Sequence, residues 1–545
     1  MTKQVVIIGG VASGMSCAAR IKRLDESAAV TVFERGGAVS FANCGMPYYV
    51  GGVIQDRAGM IVQTAETLRG RYGLRIHTRH EVTRIFPDEK AVEVKNLETG
   101  ETTRHAYDAL MIATGAAPVR PPIPGLDADK VCTLNSLDDM DKMRERAVAA
   151  KKAVVVGAGF IGLEVVENLR RLGVDVTLVE MLDQVLPVLD KEMTEPLAQE
   201  LKLNGVDLRL ETSVTAVGSN DVTLSDGSHV AADMVCLCTG VAPRSELAKE
   251  AGIALGPRGH IAVDAQMRTS APDVYAAGDV AQVADRMTGA PTAVPLAGPA
   301  NRQGRIAADV ICGRDAAYPG VLGTSIVQVF NQKAACAGTS EKRLKSAGAS
   351  YFRVYVHPMQ HVKYYPGAAP VSIKGLFSPD GMLLGVQAVG TENVDTAIDV
   401  LATALANKMT AEDLEHLELA YSPQHDSAKS GVNMLGFTAN NVIKGDMEQI
   451  EADALPEDIF WLDVRAPEET ECGVVPGATV ISLDELRERL DELPRDKTIG
   501  VYCAVGLRGY IACRQLKQRG FTAYNLDGGY RTWAWFHGAG AKSPV

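Results

Sequence analysis

Two stretches of this chain repeat one plan: a short apolar strand, a glycine turn, a helix, and a second strand that ends in an acid. The first is "KQVVIIGGVASGMSCAARI" followed by "AVTVFER", and the second is "KAVVVGAGFIGLEVVENLRRLGVDVTLVE". Such a turn points backbone N–H groups and a helix amino terminus at a pyrophosphate, while an acid about 20 residues on takes a ribose hydroxyl. The second copy has all three glycines, Gly157, Gly159 and Gly162, and ends in Glu180. The first has Gly9, Gly10 and Gly14 and ends in Glu34, with Val11 where a further glycine is usual. The pair confines the chain to an α/β fold containing two Rossmann-like dinucleotide-binding domains. An acid at 180 favours the free 2′-hydroxyl of NADH over a 2′-phosphate.

A chain of 545 residues is too long for one core. Its net charge of -12 argues against nucleic acid as a partner. No apolar run reaches the ~18–20 residues of a spanning helix, and "MTKQVVIIGG" starts a strand at once with no cleavage-type segment, so a cytoplasmic protein away from membranes is expected. Ten cysteines show no paired metal spacing, so no metal is expected, and most read as small buried hydrophobes. Cys44 and Cys503 differ, because each lies in a glycine-containing loop after strand-like sequence.

The two nucleotide units, with "YDALMIATGAAP" between them and "TSAPDVYAAGDVA" after them, resemble the flavin-dependent pyridine nucleotide-disulfide oxidoreductases. The resemblance implies that the first unit holds FAD, through Gly9, Gly10, Gly14, Glu34, Arg35 and Asn43, with Asp279 on the ribityl chain. The second would hold NADH through Gly157, Gly159, Gly162 and Glu180. The expected organisation is a discontinuous FAD domain (1–112 and 250–322), an NADH domain (113–249), an α+β dimerisation domain (323–440), a linker (441–452) and a carboxy-terminal domain (453–545). A homodimer is implied.

"SFANCGMPYYVGG" holds a single thiol, Cys44, with no partner cysteine nearby, so its electrons must go to something from outside: a mixed disulfide, a persulfide or a sulfenic acid. A flavin and a helix terminus are expected to lower its pKa. The stretch resembles the coenzyme A-disulfide reductase branch. That resemblance puts Ser16, Arg20, Arg23, Ser40 and Asn43 at a coenzyme A site, with Arg71, Asn301 and Lys429 as further contacts. Arginine suits the nucleotide phosphates as a planar bidentate donor. Tyr364, Tyr365 and Tyr421 resemble tyrosines that reach an active site from a partner subunit, and any of the three is a candidate acid for a leaving thiolate.

From about residue 453 strands and helices alternate over a compact unit, which suggests a small parallel sheet. In "VYCAVGLRG" a strand delivers Cys503 into a glycine loop closed by Arg508, a geometry that turns N–H groups toward a thiolate or persulfide. With "LDVR" (Asp463, Arg465) and "LDGGY", the unit resembles a rhodanese domain. Four residues separate Cys503 from Arg508, the short form of this loop, whereas phosphatase-type loops have five. Val474 stands where a histidine is common, and Gly509 where a hydroxyl residue often follows the arginine.

Together these features point to NADH-driven, FAD-dependent reduction of sulfane sulfur (coenzyme A persulfide, polysulfide) or coenzyme A disulfide at Cys44, with Cys503 carrying sulfur as a persulfide. The alternatives are an NADH peroxidase or oxidase working through a sulfenic acid at Cys44, and a redox-sensing binding protein.

Overall fold

A computed structural model of the chain describes residues 2–538, and these separate into two compact units, one of residues up to 181 with 205–321 and the other of 182–204 with the chain from 322 on.

The first unit contains two five-stranded parallel sheets. One runs in the order Val274–Ala276, Ala109–Ile112, Gln4–Ile8, Ala29–Glu34, Arg75–Thr78. The other runs Asp207–Arg209, Asp175–Val179, Lys152–Val156, Met234–Leu237, Val131–Cys132. The central strands are apolar on both faces, as crossover helices require: Val5, Val6 and Ile7, like Val154 and Val155, are buried. The outer strand of the first sheet, Val274–Ala276, comes from sequence far downstream, after the whole second sheet. Packing between the helices Ala12–Leu24 and Ala297–Ile311 closes the first nucleotide domain. A methyl group at Gly304 would lie 2.3 Å from the Ser13 carbonyl oxygen, so only glycine permits this approach.

The second unit holds an antiparallel sheet, ordered Ser325–Val329, Gln332–Gly338, Leu383–Gly390, Val371–Phe377, Phe352–Val356. It also holds a parallel sheet, ordered Gln449–Ile450, Ala523–Leu526, Ile499–Tyr502, Phe460–Asp463, Thr479–Val480. The stretch 441–452, expected as a linker, contains the end of the helix Gly431–Ile443 and the edge strand Gln449–Ile450 of the terminal sheet. Segment 182–204, inside the expected NADH domain, groups with this second unit. There Asp190 and Glu192 accept hydrogen bonds from buried Lys374 at 2.9 and 2.6 Å, and Glu341 accepts a third at 2.6 Å. This carboxylate triad has cation-binding spacing, and the Lys374 ammonium occupies its centre, with Arg353 and Lys345 also paired to Glu341.

The terminal sheet is tied to the antiparallel one by buried polar contacts. Tyr355 N donates to Asp527 (3.1 Å), the His357 ring bonds the Thr532 hydroxyl (2.9 Å), and Arg353 pairs with Asp453. No helix among the described residues is long and apolar enough to cross a membrane.

Candidate active site

The two glycine turns have the same backbone chemistry. Gly9 and Gly157 adopt φ of +100° and +101°, and a methyl at either would strike a carbonyl, that of Ala113 at 2.2 Å or of Cys238 at 2.4 Å. Each terminal acid folds back onto its turn: Gly10 N donates to Glu34 at 2.7 Å and Ala158 N donates to Glu180 at 2.7 Å. Gly159, the amino-terminal cap of the helix Phe160–Arg171, would carry its methyl into open space. Its glycine therefore answers to no protein neighbour, as expected where a ligand backs onto the chain. Val11 holds the equivalent cap of the helix Ala12–Leu24.

Asp279, expected at a flavin chain, follows the strand Val274–Ala276. Burial alone pushes its carboxyl upward, and it has no hydrogen-bond donor among the described residues. Next to it, Gly278 N donates to Gln303 (2.8 Å), and Ser13 donates to the Ala277 carbonyl (3.1 Å). A half-buried acid short of donors, beside Gly278 and the helix pair that closes the first nucleotide domain, fits a polyhydroxyl ligand such as the FAD chain. Arg35 is partly exposed and pairs with Glu81 at 3.6 Å.

Cys44 lies in the one-turn segment Asn43–Gly45 and is solvent-exposed, as is Asn43. Ser40, just upstream, takes a left-handed φ of +50°, and its N–H bonds the Gly10 carbonyl at 2.8 Å, which anchors the cysteine loop on the first glycine turn. Downstream, the helix Met46–Val50 packs on the helices Leu137–Ala149 and Phe160–Arg171. A methyl at Gly51 would lie 2.1 Å from Asn168 Oδ1. The thiol therefore sits between the two nucleotide domains.

Its electrostatics differ from expectation. Partial burial desolvates the thiolate, and the Glu164 and Asp279 carboxylates repel it, so the protein by itself raises the Cys44 pKa rather than lowering it. Glu164 is a residue that sequence reasoning missed. It accepts from the Tyr48 hydroxyl at 3.2 Å, and desolvation pushes its carboxyl up to about 7. The only sequence signal for it is one acid on the apolar helical run "FIGLEVV".

The residues expected at a coenzyme A site fall in groups. Ser16 and Asn301 are hydrogen-bonded to each other across the helix pair, and Arg20, one turn along, gives Nε and Nη2 to Asp309 at 3.0 and 2.8 Å. Arg20 is therefore already ion-paired, and an incoming phosphate would share it. Arg23 is exposed, with its guanidinium 5.9 Å from the Tyr72 ring centre, and Arg71 is exposed on the same helix as Tyr72. In the second unit Tyr364 and Tyr421 meet hydroxyl to hydroxyl at 3.2 Å, and Gln424 donates to Tyr365 at 3.1 Å. The three tyrosines thus form one polar cluster, and Lys429 is exposed on the nearby chain.

In the terminal sheet, Cys503 ends the strand Ile499–Tyr502 and is fully buried, with Gly506 N directed at its sulfur at 3.2 Å. The loop is clamped from behind: Tyr530 N bonds the Cys503 carbonyl (2.8 Å) and Arg531 N the Ala504 carbonyl (3.0 Å). Arg508, in the first turn of the helix Leu507–Lys517, lies close enough to Cys503 for the two charges to interact. Asp463 and Arg465 form a fully buried pair at 2.6 Å, with Arg465 also holding the carbonyls of Glu469 (3.1 Å) and Gly473 (2.7 Å). The LDVR sequence is thus a brace for the wall of the loop. Gly509 has a packing reason, since a methyl there would lie 2.3 Å from Asn525 Oδ1. Val474 is 38 % exposed.

Residues 3–304 match the family model "Pyridine nucleotide-disulphide oxidoreductase", 324–430 match its dimerisation domain, and 447–534 match "Rhodanese-like domain". Coenzyme A disulfide reductase of Staphylococcus aureus is 34% identical over 440 residues, covering 80% of this chain and 99% of its own. The structure of reduced CoADR-RHD from Bacillus anthracis superposes with a TM-score of 0.97 at 43% identity, covering 98% of both chains. A NAD-dependent persulfide reductase from A. fulgidus gives 0.92 at 39% identity, covering 97% of this chain and 100% of its own.

Proposed function

The chain belongs to the pyridine nucleotide-disulphide oxidoreductase family, a family dependent on FAD and NAD(H), and we propose that it reduces sulfane sulfur or coenzyme A disulfide at Cys44. The observation that carries the reading is the placing of one exposed thiol, without a partner cysteine, between two nucleotide turns of matched geometry.

Bound FAD would supply the two-electron link between reduced nicotinamide and sulfur. Gly9, Gly10, Gly14, Glu34, Arg35, Asn43 and Asp279 would hold it. Gly157, Gly159, Gly162 and Glu180 would hold the nicotinamide nucleotide, with NADH preferred over NADPH. In our reading the Cys44 thiolate attacks the inner sulfur of R–S–SH, forming Cys44–S–S–R and expelling hydrosulfide. Two electrons then return Cys44 and R–S as thiolates. A disulfide R–S–S–R follows the same course and expels R–S⁻. Tyr364, Tyr365 or Tyr421 would protonate the leaving thiolate, contributed by a partner subunit in a homodimer.

The relatives' names support coenzyme A as the R group. Ser16, Arg20, Arg23, Ser40, Asn43, Arg71, Asn301 and Lys429 would contact it, with Arg23 and Arg71 as exposed cations for its phosphates. Cys503 with Arg508 would carry sulfur as a persulfide, supported by the Gly506 N–H directed at its sulfur. The domain limits would be 1–112 with 250–322, 113–249, 323–440 and 453–545, and the protein would work in the cytoplasm.

The test is anaerobic NADH consumption with coenzyme A persulfide, coenzyme A disulfide and hydrogen peroxide supplied separately, with sulfide followed alongside. Persulfide turnover with stoichiometric sulfide, lost in Cys44→Ser while flavin stays bound, is expected. Turnover with peroxide alone, or an active Cys44→Ser, would overturn the proposal.

A further inference from the structure

In the rhodanese-like domain, a carboxylate that no sequence motif pointed to engages the arginine of the Cys503 loop. Glu469, from the short segment Pro467–Cys472, meets Arg508 end-on, with Nη1 to Oε2 at 2.7 Å and Nη2 to Oε1 at 2.6 Å. This is the planar fork geometry in which a guanidinium would otherwise grip a sulfur oxyanion or phosphate. Glu469 is also built in from behind. Its Oε2 accepts Ala466 N at 3.0 Å, and its carbonyl is held by Arg465, which is itself fully buried on Asp463. Arg508 holds Glu469 below the usual carboxylate range, so the pair is ionised at neutral pH.

Two consequences follow. The fork of Arg508 is occupied, so an oxyanion donor must displace a carboxylate that Ala466 N also holds and whose main-chain carbonyl Arg465 anchors. The Arg508 charge is also offset at short range by Glu469, so an anion approaching Cys503 gains less from it. A thiol persulfide asks less of both, because its R–S–SH group carries at most one charge and has no oxyanion group for the fork, whereas thiosulfate is a dianion ending in three oxygens.

We propose that Glu469 is a specificity-determining positioning residue that biases Cys503 toward organic persulfides and against sulfur oxyanion donors. The inference rests on the reading of Cys503 as a sulfur carrier. With a persulfide, Cys503–S⁻ attacks the outer sulfur of R–S–SH. A Cys503–S bond forms as the R–S to SH bond breaks, giving Cys503–S–SH and R–S⁻. With thiosulfate, the same attack on the outer sulfur gives Cys503–S–S⁻ and sulfite. Neither transfer needs an external oxidant or reductant.

The experiment uses the full-length holoenzyme and compares Cys503 sulfur loading, by intact-protein mass, from glutathione persulfide and from thiosulfate, in wild type, Glu469→Gln, Glu469→Asp and Cys503→Ser. Removing one negative charge near an incoming dianion should raise loading from thiosulfate about tenfold in Glu469→Gln while the persulfide rate stays within about threefold. Glu469→Asp, which keeps the charge, should stay near wild type, and the melting transition of the rhodanese-like domain together with persulfide loading of Cys503 reports that each variant is folded there. An unchanged thiosulfate-to-persulfide ratio in Glu469→Gln, or a ratio raised equally in Glu469→Asp, overturns the inference. Wild-type loading from neither donor, or loading that survives Cys503→Ser, instead overturns the reading of Cys503 as carrier.

Discussion

Replacing Lys374 by methionine should weaken the second unit more than any other single change to its core. Lys374 is fully buried, and its ammonium donates to Asp190, Glu192 and Glu341 at 2.6–2.9 Å. Arg353 also pairs with Glu341 at 2.9 Å, but it serves Asp453 on the other side, so Asp190 and Glu192 have no second cation among the described residues. Breaking a buried pair by removing one partner costs about 3–5 kcal/mol, because a charge is left uncompensated in low dielectric. At roughly 2–4 °C per kcal/mol for a unit of this size, the apparent midpoint should fall about 6–20 °C by calorimetry or intrinsic fluorescence. The pH dependence separates this cause from simple loss of packing. In the wild type the neighbouring cations hold Glu341 far below its unfolded value. Its contribution is complete above the unfolded carboxylate pKa of about 4.3 and is lost as pH falls toward the depressed folded value. In Lys374→Met three carboxylates stay close together in a buried site that has lost its central cation, so the folded state takes up a proton more readily than the unfolded chain. The variant should therefore recover stability as pH falls from 8 to 5.5, where the wild type changes little. A deficit below about 1 kcal/mol, or one that is equal or larger at pH 5.5, would refute the electrostatic account.

Glu164→Gln removes a carboxylate that repels the Cys44 thiolate, so the alkylation rate of Cys44 against pH should shift toward lower pH. An unchanged profile would mean that burial and Asp279 set the thiol without Glu164. Glu180→Ala should narrow the preference for NADH, read as the ratio of kcat/KM for the two cofactors, and should raise both KM values because Ala158 N loses its acceptor. Asp463→Asn leaves Arg465 buried without its counter-ion and should destabilise the rhodanese-like domain by roughly 3 kcal/mol or more, seen as a separate early transition or loss of sulfur loading at Cys503. If that domain melts unchanged, the pair contributes nothing net.

The nucleotide turns were legible in sequence because their requirements are local. Gly9 and Gly157 need a positive φ, Glu34 and Glu180 need to end the next strand, and both conditions lie within about 25 residues of chain. Cys44 and Cys503 were legible for the same reason, as thiols in glycine loops beside strands. What no periodicity could reveal depends on contacts made across the sequence. Glu469 reaches Arg508 over 39 positions, Glu164 reaches Tyr48 over 116, and Lys374 reaches Asp190 over 184.

The sign of the Cys44 shift also came only from the tertiary structure. Whether a thiol is activated depends on which charges and walls surround it, and folding brought two carboxylates and a desolvating surface there. The sequence by itself determined which chemistries this chain can hold: two nucleotide turns, a lone thiol and a second thiol in a short loop. Tertiary structure alone decided the electrostatic setting of each, because a charge acts through distance and dielectric, and neither is written along the chain.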